Sequence, residues 1–253
     1  MQLHIVDLGL IDYQEALSRQ YSLVAQCRNE EIPDTLLLLE HPPVVTLGKR
    51  GDNSDLLFSE EILAARGVQT AWVDRGGQAT YHGPGQLVGY PIVNLRHHQR
   101  KIKRFVHTLE AFLIRLLDEH YNITAHTEDD YVGVWVEKRK LAAIGIAIHS
   151  AVTMHGFALN VNTDLDFFSL IVPCGIQDSA RGVTSISKEV GREVSVEEVK
   201  EKAGPIFSEL FGYGEVDYLG NIRGNRSSSR TAAEKKEEKE GAKEEEEEKT
   251  NGA

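Results

Sequence analysis

The chain has 253 residues, a formal net charge of −11 and a hydrophobic fraction of 41%. This length suits one domain with a substantial core, and the acidic balance argues against general nucleic-acid binding, which requires a basic surface. The apolar runs are too short to span a membrane, and Met1 leads into an alternating Leu3-His4-Ile5-Val6 pattern without a targeting segment. We therefore expect a cytoplasmic protein with no membrane association.

The first half of the chain predicts three helices separated by strands, of which the second is a short helix from Ser59 to Arg66 closed by Gly67. The first helix is expected to begin at Asp12, a typical N-cap residue, and Cys27 falls on its apolar face. Residues 35–47 predict two short strands. The strongest helical pattern covers residues 101–120 and is expected to end at Asn122.

The second half predicts a strand meander followed by a helix. Strand patterns cover residues 131–136, 140–148 and 152–161. A further helix is expected to begin at Ser195, and Pro205 should bend or interrupt it. Because helices and strands intermix without regular βαβ alternation, we predict an α+β fold.

The C-terminal end differs in composition from the rest of the chain. Ile222 is the last large apolar residue, and a Glu/Lys-rich tract follows it. A segment of this kind cannot bury a core, and we predict that it is disordered. The predicted division is a catalytic domain at residues 1–222 and a charged tail at residues 223–253.

The segment from Arg75 to Leu87 is the densest in chemically useful residues. It combines four glycines and a proline with polar and aromatic side chains. Glycine allows the backbone to approach a ligand closely, so that successive N–H groups can converge on an oxygen atom. A plain glycine-rich turn would need fewer polar residues, and the spacing fits neither a P-loop nor a dinucleotide-binding fingerprint. We interpret the segment as a ligand-binding loop.

Cys174 lies between Pro173 and Gly175, neighbours that could leave one side of its thiol open. A nucleophilic cysteine needs a nearby cation or helix N-terminus to favour its thiolate, and Lys140 or His82 could be that neighbour. A lone cysteine is more often a buried small hydrophobic residue. The residues alone leave both readings open, and we find no spacing typical of a metal site.

A cluster of cations lies between residues 96 and 104. It could be a solvated helix face, or it could dock an acidic partner, because clustered cations steer encounter with negatively charged proteins. Its members are Arg96, Arg100, Lys101, Lys103 and Arg104.

Four sequence blocks together resemble the lipoyl(octanoyl) transferases, the carrier-protein-dependent octanoyltransferases of lipoate biosynthesis. The order and spacing of the blocks agree with that family over residues 1–212. The blocks are His41-Pro42-Pro43 to Gly48, Arg75 to Ile92, Lys140 to Gly145, and His155 to Val161 leading to Pro173-Cys174-Gly175-Ile176.

The resemblance implies a catalytic domain similar to that of biotin and lipoate protein ligases, with a mixed sheet flanked by helices. It implies that Cys174 carries the acyl group as a thioester, that Lys140 lowers the pKa of this thiol, and that His82 could assist transfer. It further implies an acyl-binding set made of Arg75, Gly76, Gly77, Gln78, Ala79, Thr80, Tyr81, His82, Ala143, Ile144, Gly145, Gly156, Phe157 and Ala158.

The implied reaction moves an octanoyl group from acyl carrier protein to a lysine of lipoyl domains, without ATP, metal or cofactor. The implied acceptors are the lipoyl domains of 2-oxoacid dehydrogenase complexes and the glycine cleavage H protein. The cation cluster then becomes a hypothetical dock for the acidic carrier protein. An ATP-dependent ligase, a transferase between two lipoyl-domain proteins, a non-catalytic module and a cysteine hydrolase are the alternatives.

Overall fold

A computed structural model describes residues 1–98, 101–172 and 181–220. The strands are β1 Gln2–Leu10, β2 Asp34–Glu40, β3 Val44–Leu47, β4 Gln69–Trp72, β5 Ala79–His82, β6 Gln86–Ile92, β7 Gly133–Val136, β8 Arg139–His149, β9 Val152–Asn160, β10 Gly182–Val183 and β11 Glu215–Leu219. The helices are α1 Tyr13–Arg28, α2 Glu60–Ala65, α3 Ile102–Tyr121, α4 Ile186–Val190 and α5 Val196–Phe211, and short 3₁₀ turns cover Asn53–Asp55 and Leu165–Leu170.

The main sheet is mixed, with the strand order β10-β8-β9-β6-β2-β1-β11 and with β7 paired to β8. Strand β1 runs parallel to β2 and β11, whereas β2, β6, β9 and β8 pair antiparallel in that order. A smaller sheet has the order β4-β3-β5. The predicted α+β class with a mixed sheet and flanking helices is confirmed, as is the meander of β7, β8 and β9.

Helices cover both faces of the main sheet. The strands therefore carry apolar side chains on both faces. Helices α3 and α5 pack on one face, where Phe112 contacts the rings of Phe157 and Phe207. Helix α1 packs on the other face, where Ala16 and Leu37 belong to a second apolar cluster. The strand residues of this cluster alternate with those that face α3 and α5. Positions that alternate along β8 and β9 therefore face either α3 or the α1 side.

The predicted helix ends agree with the structure. The carboxylate of Asp12 accepts hydrogen bonds from the backbone N–H groups of Gln14 and Glu15 at the start of α1. Helix α3 ends at Asn122, which adopts a left-handed conformation with φ of 53°. Ile102, in the first turn of α3, is 49% exposed, whereas the apolar residues further along the helix, such as Phe105, Leu109 and Phe112, are buried.

Pro205 does not interrupt α5, which contradicts one of the two outcomes predicted for it. The helix continues from Val196 to Phe211. Burial of one helix face against the sheet offsets the cost of a proline, about 3 kcal/mol. Gly204 contributes to this packing, because a methyl group there would lie 2.8 Å from the Tyr218 hydroxyl and 2.9 Å from Ile5 Cδ1.

A buried ion pair links α5 to the main sheet. The Lys200 ammonium lies 2.8 Å from Asp7 Oδ1, and the two side chains are 3% and 11% exposed. Asp7 also accepts a hydrogen bond from the backbone N–H of Gly9 at 2.9 Å. The helix is therefore fixed to β1 by charge as well as by apolar packing.

Strands β8 and β9 are joined by the two residues Ser150 and Ala151. Their φ angles are 51° and 72°, as expected for a two-residue hairpin turn with both central residues in the left-handed region. This short connection fixes the register of the longest strand pair in the sheet, from His149 opposite Val152 to Ala142 opposite Leu159.

Some of the residues for which the sequence makes predictions lie outside the described chain. The predicted tail at residues 223–253 lies outside the described residues, and so do Cys174 and Arg100. Cys27 is described and is buried among Val24, Ile92 and Met154, as predicted for a core residue. Within the described residues, no helix is both long and apolar enough to cross a membrane.

Candidate active site

The two predicted acyl-binding triplets lie side by side in the sheet. Ala143 pairs with Ala158, Ile144 with Phe157, and Gly145 with Gly156. The side chains of Ile144 and Phe157 pack into the core beneath α3. The alternate positions face the α1 side, where the small side chains of Ala143 and Ala158 leave a trench above the sheet.

The trench forms part of a cavity with two chambers. The outer chamber, of about 230 Å³, is lined by Lys140, Arg181 and Phe168 among others. The inner chamber, of about 50 Å³, is lined by the glycine-rich loop, Tyr13 and the trench. Thr80, Ala143 and Ala158 line both chambers, so the chambers are neighbours.

The glycine-rich loop forms the roof and is fixed by the side chain of Arg75. The Arg75 guanidinium donates to the backbone oxygen of Thr46 at 2.7 Å, to Thr46 Oγ1 at 2.8 Å and to the backbone oxygen of Gln78 at 2.8 Å. The backbone N–H of Gly76 donates to the Ile146 oxygen at 2.9 Å, which places the loop across β8. Arg75 therefore fixes the shape of the loop and also lines the inner chamber, as predicted for a member of the binding set.

Strand β5 divides its side chains between the cavity and the smaller core. Thr80 and His82 line the cavity. Ala79 and Tyr81 alternate with them and pack into the core of the small sheet, where Tyr81 stacks on Phe167 with ring centroids 4.9 Å apart. The period of two along a strand thus separates the predicted binding residues into cavity-lining and supporting sets.

Lys140 lies at the start of β8 and is only 6% exposed. Its Nζ donates to the backbone oxygen of Val132 at 3.2 Å and lies 4.9 Å from the ring centre of Trp135. No carboxylate among residues 1–98, 101–172 and 181–220 forms an ion pair with it. One carbonyl and one aromatic face thus hold the ammonium, and its charge remains available to the outer chamber.

Arg181 is a second cation in the wall of the outer chamber. Its guanidinium lies 4.8 Å from the ring centre of Tyr131 and 5.2 Å from that of Trp135, and it forms an ion pair with Glu128. Trp135 is fully buried and contacts the cations of both Lys140 and Arg181. The indole ring of Trp135 therefore holds the cations of Lys140 and Arg181 at the wall of the outer chamber.

The hydrogen bonds of His82 define which of its nitrogens carries a proton. Gln86 donates its amide N–H groups to the Tyr81 oxygen and to Asn160 Oδ1, so its Oε1 accepts from His82 Nδ1 at 2.8 Å. Burial, followed by the charges of His41 and Arg75, lowers the pKa of His82 well below its usual value. The ring is therefore neutral at neutral pH, with Nε2 as the acceptor nitrogen.

Comparison with known proteins identifies the family. Residues 12–208 match the model of the lipoyl protein ligase A/B catalytic domain. The chain is 48% identical over 217 residues to an octanoyltransferase of Alkaliphilus metalliredigens, covering 86% of this chain and 99% of that protein. For an octanoyltransferase of Caldicellulosiruptor bescii the identity is 49% over 213 residues, covering 84% and 92%. The chain belongs to the octanoyltransferase family.

The solved structures agree with this family at the level of the fold. The putative lipoate protein ligase Ta0514 of T. acidophilum superposes with a TM-score of 0.65 at 18% identity, covering 93% of this chain and 92% of that one. The predicted resemblance to lipoate protein ligases in fold, and to octanoyltransferases in sequence, is confirmed. The protein is an acyltransferase, and octanoyl transfer in lipoate biosynthesis is its class of reaction.

The octanoyltransferase cavity brings most of the predicted site residues together. Lys140 lies in the outer chamber, and Gly76, Gly77, Gln78, Thr80, His82 and the two opposed triplets line the inner chamber. Cys174 lies outside the described residues. In the described chain before Cys174, Ser169 lines the same chamber as Lys140, and after it Arg181, Gly182 and Val183 do. Val172, which is nearer to Cys174 in the sequence, instead donates its backbone N–H to the Asp55 oxygen at 2.9 Å.

The predicted cation cluster lies away from this cavity. The backbone N–H of Leu95 donates to the Ala151 oxygen at 2.9 Å, so Arg96 follows directly beside the β8–β9 turn. Lys140 lies at the opposite end of β8, about 30 Å away for a strand of this length. Arg96, Lys101, Lys103 and Arg104 are exposed there and do not line either chamber.

Several cavity residues of the octanoyltransferase were not predicted from the sequence. Their side chains come from α1, from β6, from the end of β9 and from β10, which no local pattern places together. These residues are Tyr13, Gln86, Tyr90, His155, Asn160 and Arg181. Gln86, Tyr90, His155 and Asn160 lie within the family blocks, which is a usable signal, whereas Tyr13 and Arg181 lie outside them.

Proposed function

We propose that this octanoyltransferase moves an octanoyl group from acyl carrier protein to a lipoyl-domain lysine through a thioester on Cys174, in the cytoplasm. The observation that carries the proposal is the position of Lys140. Lys140 lines a chamber whose walls also include Ser169, which precedes the segment that contains Cys174, and Arg181 and Gly182, which follow that segment. A cation in this position favours the thiolate form of a neighbouring cysteine.

The first half-reaction transfers the acyl group to the enzyme. The Cys174 thiolate attacks the carbonyl carbon of the donor thioester, and the bond from that carbon to the carrier sulfur breaks. The departing carrier thiolate takes a proton from the Lys140 ammonium and leaves as a thiol. One thioester replaces another, so this step is nearly balanced in energy and requires no ATP.

The second half-reaction releases the product. The neutral amine of the acceptor lysine attacks the carbonyl carbon of the acyl-enzyme, and the bond to Cys174 breaks as the amide forms. The proton of the attacking amine passes to Lys140, which returns to the ammonium form beside a regenerated thiolate. Amide formation from a thioester is downhill and drives turnover.

The cavity supplies the apolar environment that the acyl chain needs. Ala143, Ala158 and Phe168 line its walls, together with the glycine-rich roof. Burial of methylene groups contributes about 0.8 kcal/mol each, so the octanoyl chain gains several kcal/mol of binding free energy. Such a site distinguishes an octanoyl thioester from an acetyl thioester by affinity alone.

We propose a positioning role for His82. Its neutral ring connects β5 to Gln86, and Gln86 in turn donates to Asn160 at the end of β9. Asn160 Nδ2 donates to the Thr184 oxygen at 3.0 Å. This series of hydrogen bonds joins the roof of the cavity to the described chain that follows Cys174.

The proposal is tested by intact-protein mass spectrometry. The enzyme is mixed with octanoyl carrier protein without ATP, and wild type is compared with Cys174→Ser and Cys27→Ser. We expect a hydroxylamine-labile octanoyl adduct on wild type and on Cys27→Ser, because burial raises the pKa of the Cys27 thiol to about 12 and makes it a poor nucleophile. Cys174→Ser should form no adduct of this kind.

Addition of a lipoyl domain completes the test. The adduct should discharge while the lysine of a lipoyl domain, from a 2-oxoacid dehydrogenase complex or the glycine cleavage H protein, gains the octanoyl group. An adduct that persists without transfer, or an adduct on Cys174→Ser equal to that on wild type, would contradict the proposal. Activity only with free octanoate and ATP would instead assign the chain to the ligases of the same fold.

We propose that the exposed cations at the start of α3 steer the acidic donor electrostatically. Because clustered cations raise the rate of encounter with an acidic partner, charge reversal in Lys103→Glu/Arg104→Glu should lower kcat/KM for octanoyl carrier protein about 10-fold at low salt. Salt at about 1 M reduces the Debye length to about 3 Å and should remove the difference. The control is a small uncharged octanoyl thioester, with which the variant and wild type should react equally. A salt-independent loss, or an equal loss with the small donor, would contradict steering.

A further inference from the structure

Glu110 is a charged residue on the buried face of α3. Among the buried residues of this helix, which the structure describes in full, it is the only one with a charged side chain, and it is 4% exposed. Burial of a carboxylate is costly unless the group is paired and hydrogen-bonded. The reason for its position therefore lies in its contacts.

The two carboxylate oxygens of Glu110 have different partners. Oε1 accepts a hydrogen bond at 3.3 Å from the backbone N–H of Gly133, at the start of β7. Oε2 lies 3.0 Å from Nδ1 of His107, whose side chain is 75% exposed at the surface of α3. Glu110 thus fixes the backbone at the start of β7 to helix α3.

The peptide group that Glu110 binds is also the one that holds Lys140. This peptide joins Val132 to Gly133. Its N–H donates to Glu110, and its oxygen accepts the hydrogen bond from Lys140 Nζ at 3.2 Å. In a planar trans peptide the N–H and C=O bonds point in opposite directions. A side chain that fixes the N–H therefore also directs the oxygen towards Lys140.

The backbone around this peptide depends on glycine. Gly133 adopts a φ of 135°, which residues other than glycine rarely adopt. A β-carbon there would lie 2.5 Å from the Ala142 oxygen and 3.4 Å from Lys140 Cε. Val132 itself lies in the irregular segment between α3 and β7 and is 48% exposed. The bond to Glu110 therefore orients a peptide that begins outside regular structure and lies against the stem of Lys140.

The carboxylate also changes the charge on the peptide oxygen. Hydrogen bonds in series polarise one another, and a bond to a charged acceptor is stronger than one between neutral groups. The Val132 oxygen therefore carries more negative charge than it would without Glu110 as a partner of the same peptide. This raises its attraction for the Lys140 ammonium.

We infer that Glu110 is a positioning residue for acyl transfer, which holds the Lys140 ammonium at the outer chamber through the Val132–Gly133 peptide. This inference rests on the proposed function, because it assumes that Lys140 takes part in the reaction. Without the acceptor, the Gly133 N–H is left unpaired and the peptide turns to find another partner. A displacement of about 1 Å at a reacting group can cost about 10²-fold in rate.

The test compares two substitutions that nearly keep side-chain size and remove one buried acceptor each. Glu110→Met leaves the Gly133 N–H unpaired. Thr153→Val does the same to the Val93 N–H, which donates to Thr153 Oγ1 at 2.9 Å. Thr153 is fully buried near the β8–β9 turn, at the opposite end of the hairpin from Lys140. We expect Glu110→Met to lower the single-turnover rate of octanoyl transfer about 10- to 100-fold, and Thr153→Val to keep the wild-type rate, although both variants lose stability.

Glu110→Gln is the conservative variant. Its amide oxygen can accept from the Gly133 N–H, so its rate should stay within about 5-fold of wild type. Glu110→Ala removes the acceptor without filling its space and should be as slow as Glu110→Met. The losses should be equal with octanoyl carrier protein and with a small octanoyl thioester, because Lys140 acts on both donors.

A double-mutant cycle shows whether Glu110 acts through Lys140. Lys140→Met/Glu110→Met should transfer as slowly as Lys140→Met alone, since a residue that positions an absent ammonium has no further effect on the rate. A role confined to stability or to the shape of the domain would instead slow both backgrounds by the same factor.

The outcomes separate the inference from the proposed function. If Lys140→Met is slow but folded Glu110→Met keeps the wild-type rate, or loses the same factor in both backgrounds, Glu110 does not position Lys140. A Glu110→Gln or Thr153→Val enzyme as slow as Glu110→Met, or a loss confined to the carrier-bound donor, would also overturn the inference. If Lys140→Met itself transfers at the wild-type rate, the proposed function fails as well.

Discussion

Replacement of Lys140 with methionine is expected to lower the single-turnover rate of octanoyl transfer by about 10²- to 10⁴-fold. Methionine keeps the length and apolar stem of the side chain but removes the charge and the proton-carrying group to which we assign the two roles of Lys140 in the proposed mechanism. The Nζ atom is held by Val132 and Trp135 beside the outer chamber. The rate is measured by quenched-flow mass spectrometry of the acceptor domain.

Lys138→Met is the matched control for this variant. Lys138 lies two residues earlier, in the exposed turn before β8, and does not line the cavity. We expect wild-type rates for Lys138→Met and melting temperatures near wild type for both variants. A Lys140→Met enzyme that is folded and keeps more than about a tenth of the rate would refute the role of this lysine in proton transfer.

Replacement of Lys200 with methionine is expected to lower the free energy of unfolding by about 3–5 kcal/mol. The variant leaves the Asp7 carboxylate buried without its partner, and a buried charge without a partner is costly. The native ammonium lies 2.8 Å from Asp7 Oδ1. Urea unfolding at neutral pH, followed by tryptophan fluorescence, measures the change.

Lys202→Met removes a cation from the same helix at a more exposed position. Its ion pair with Glu198 has side-chain exposures of 27% and 30%, and such pairs contribute about 0–1 kcal/mol. The difference between the two losses of unfolding free energy therefore measures how much the burial of the Lys200 ion pair contributes. Equal losses of stability would show that the Lys200 pair contributes no more than a surface pair.

Local patterns in the sequence predicted most of the secondary structure. Asp12 caps α1, Asn122 ends α3, and the strands after residue 130 occur where alternation predicts them. These features depend on neighbours within a few residues. Pro205 departs from its local preference because long-range packing of α5 against β1 and β11 outweighs it.

The candidate site could be predicted only through family resemblance, because its residues meet across long distances in the sequence. No pattern within β8 indicates that Ala143 pairs with Ala158, and nothing near Tyr13 indicates that it reaches the glycine-rich loop. The sequence also could not assign each predicted residue to a face of its strand. Tyr81 and Phe157 therefore entered the predicted binding set although their side chains support the cavity from the cores behind it.

The two-residue turn at Ser150 and Ala151 determines which side chains of β9 face the cavity in which we propose that the acyl group binds. Insertion of one residue there would shift β9 by one position, and alternate side chains would exchange faces. Phe157 would then occupy the trench beside Ala143 that Ala158 leaves open. The turn lies at the far end of the hairpin from Lys140, so we expect an insertion or deletion at this surface position to change the shape of a cavity remote from it.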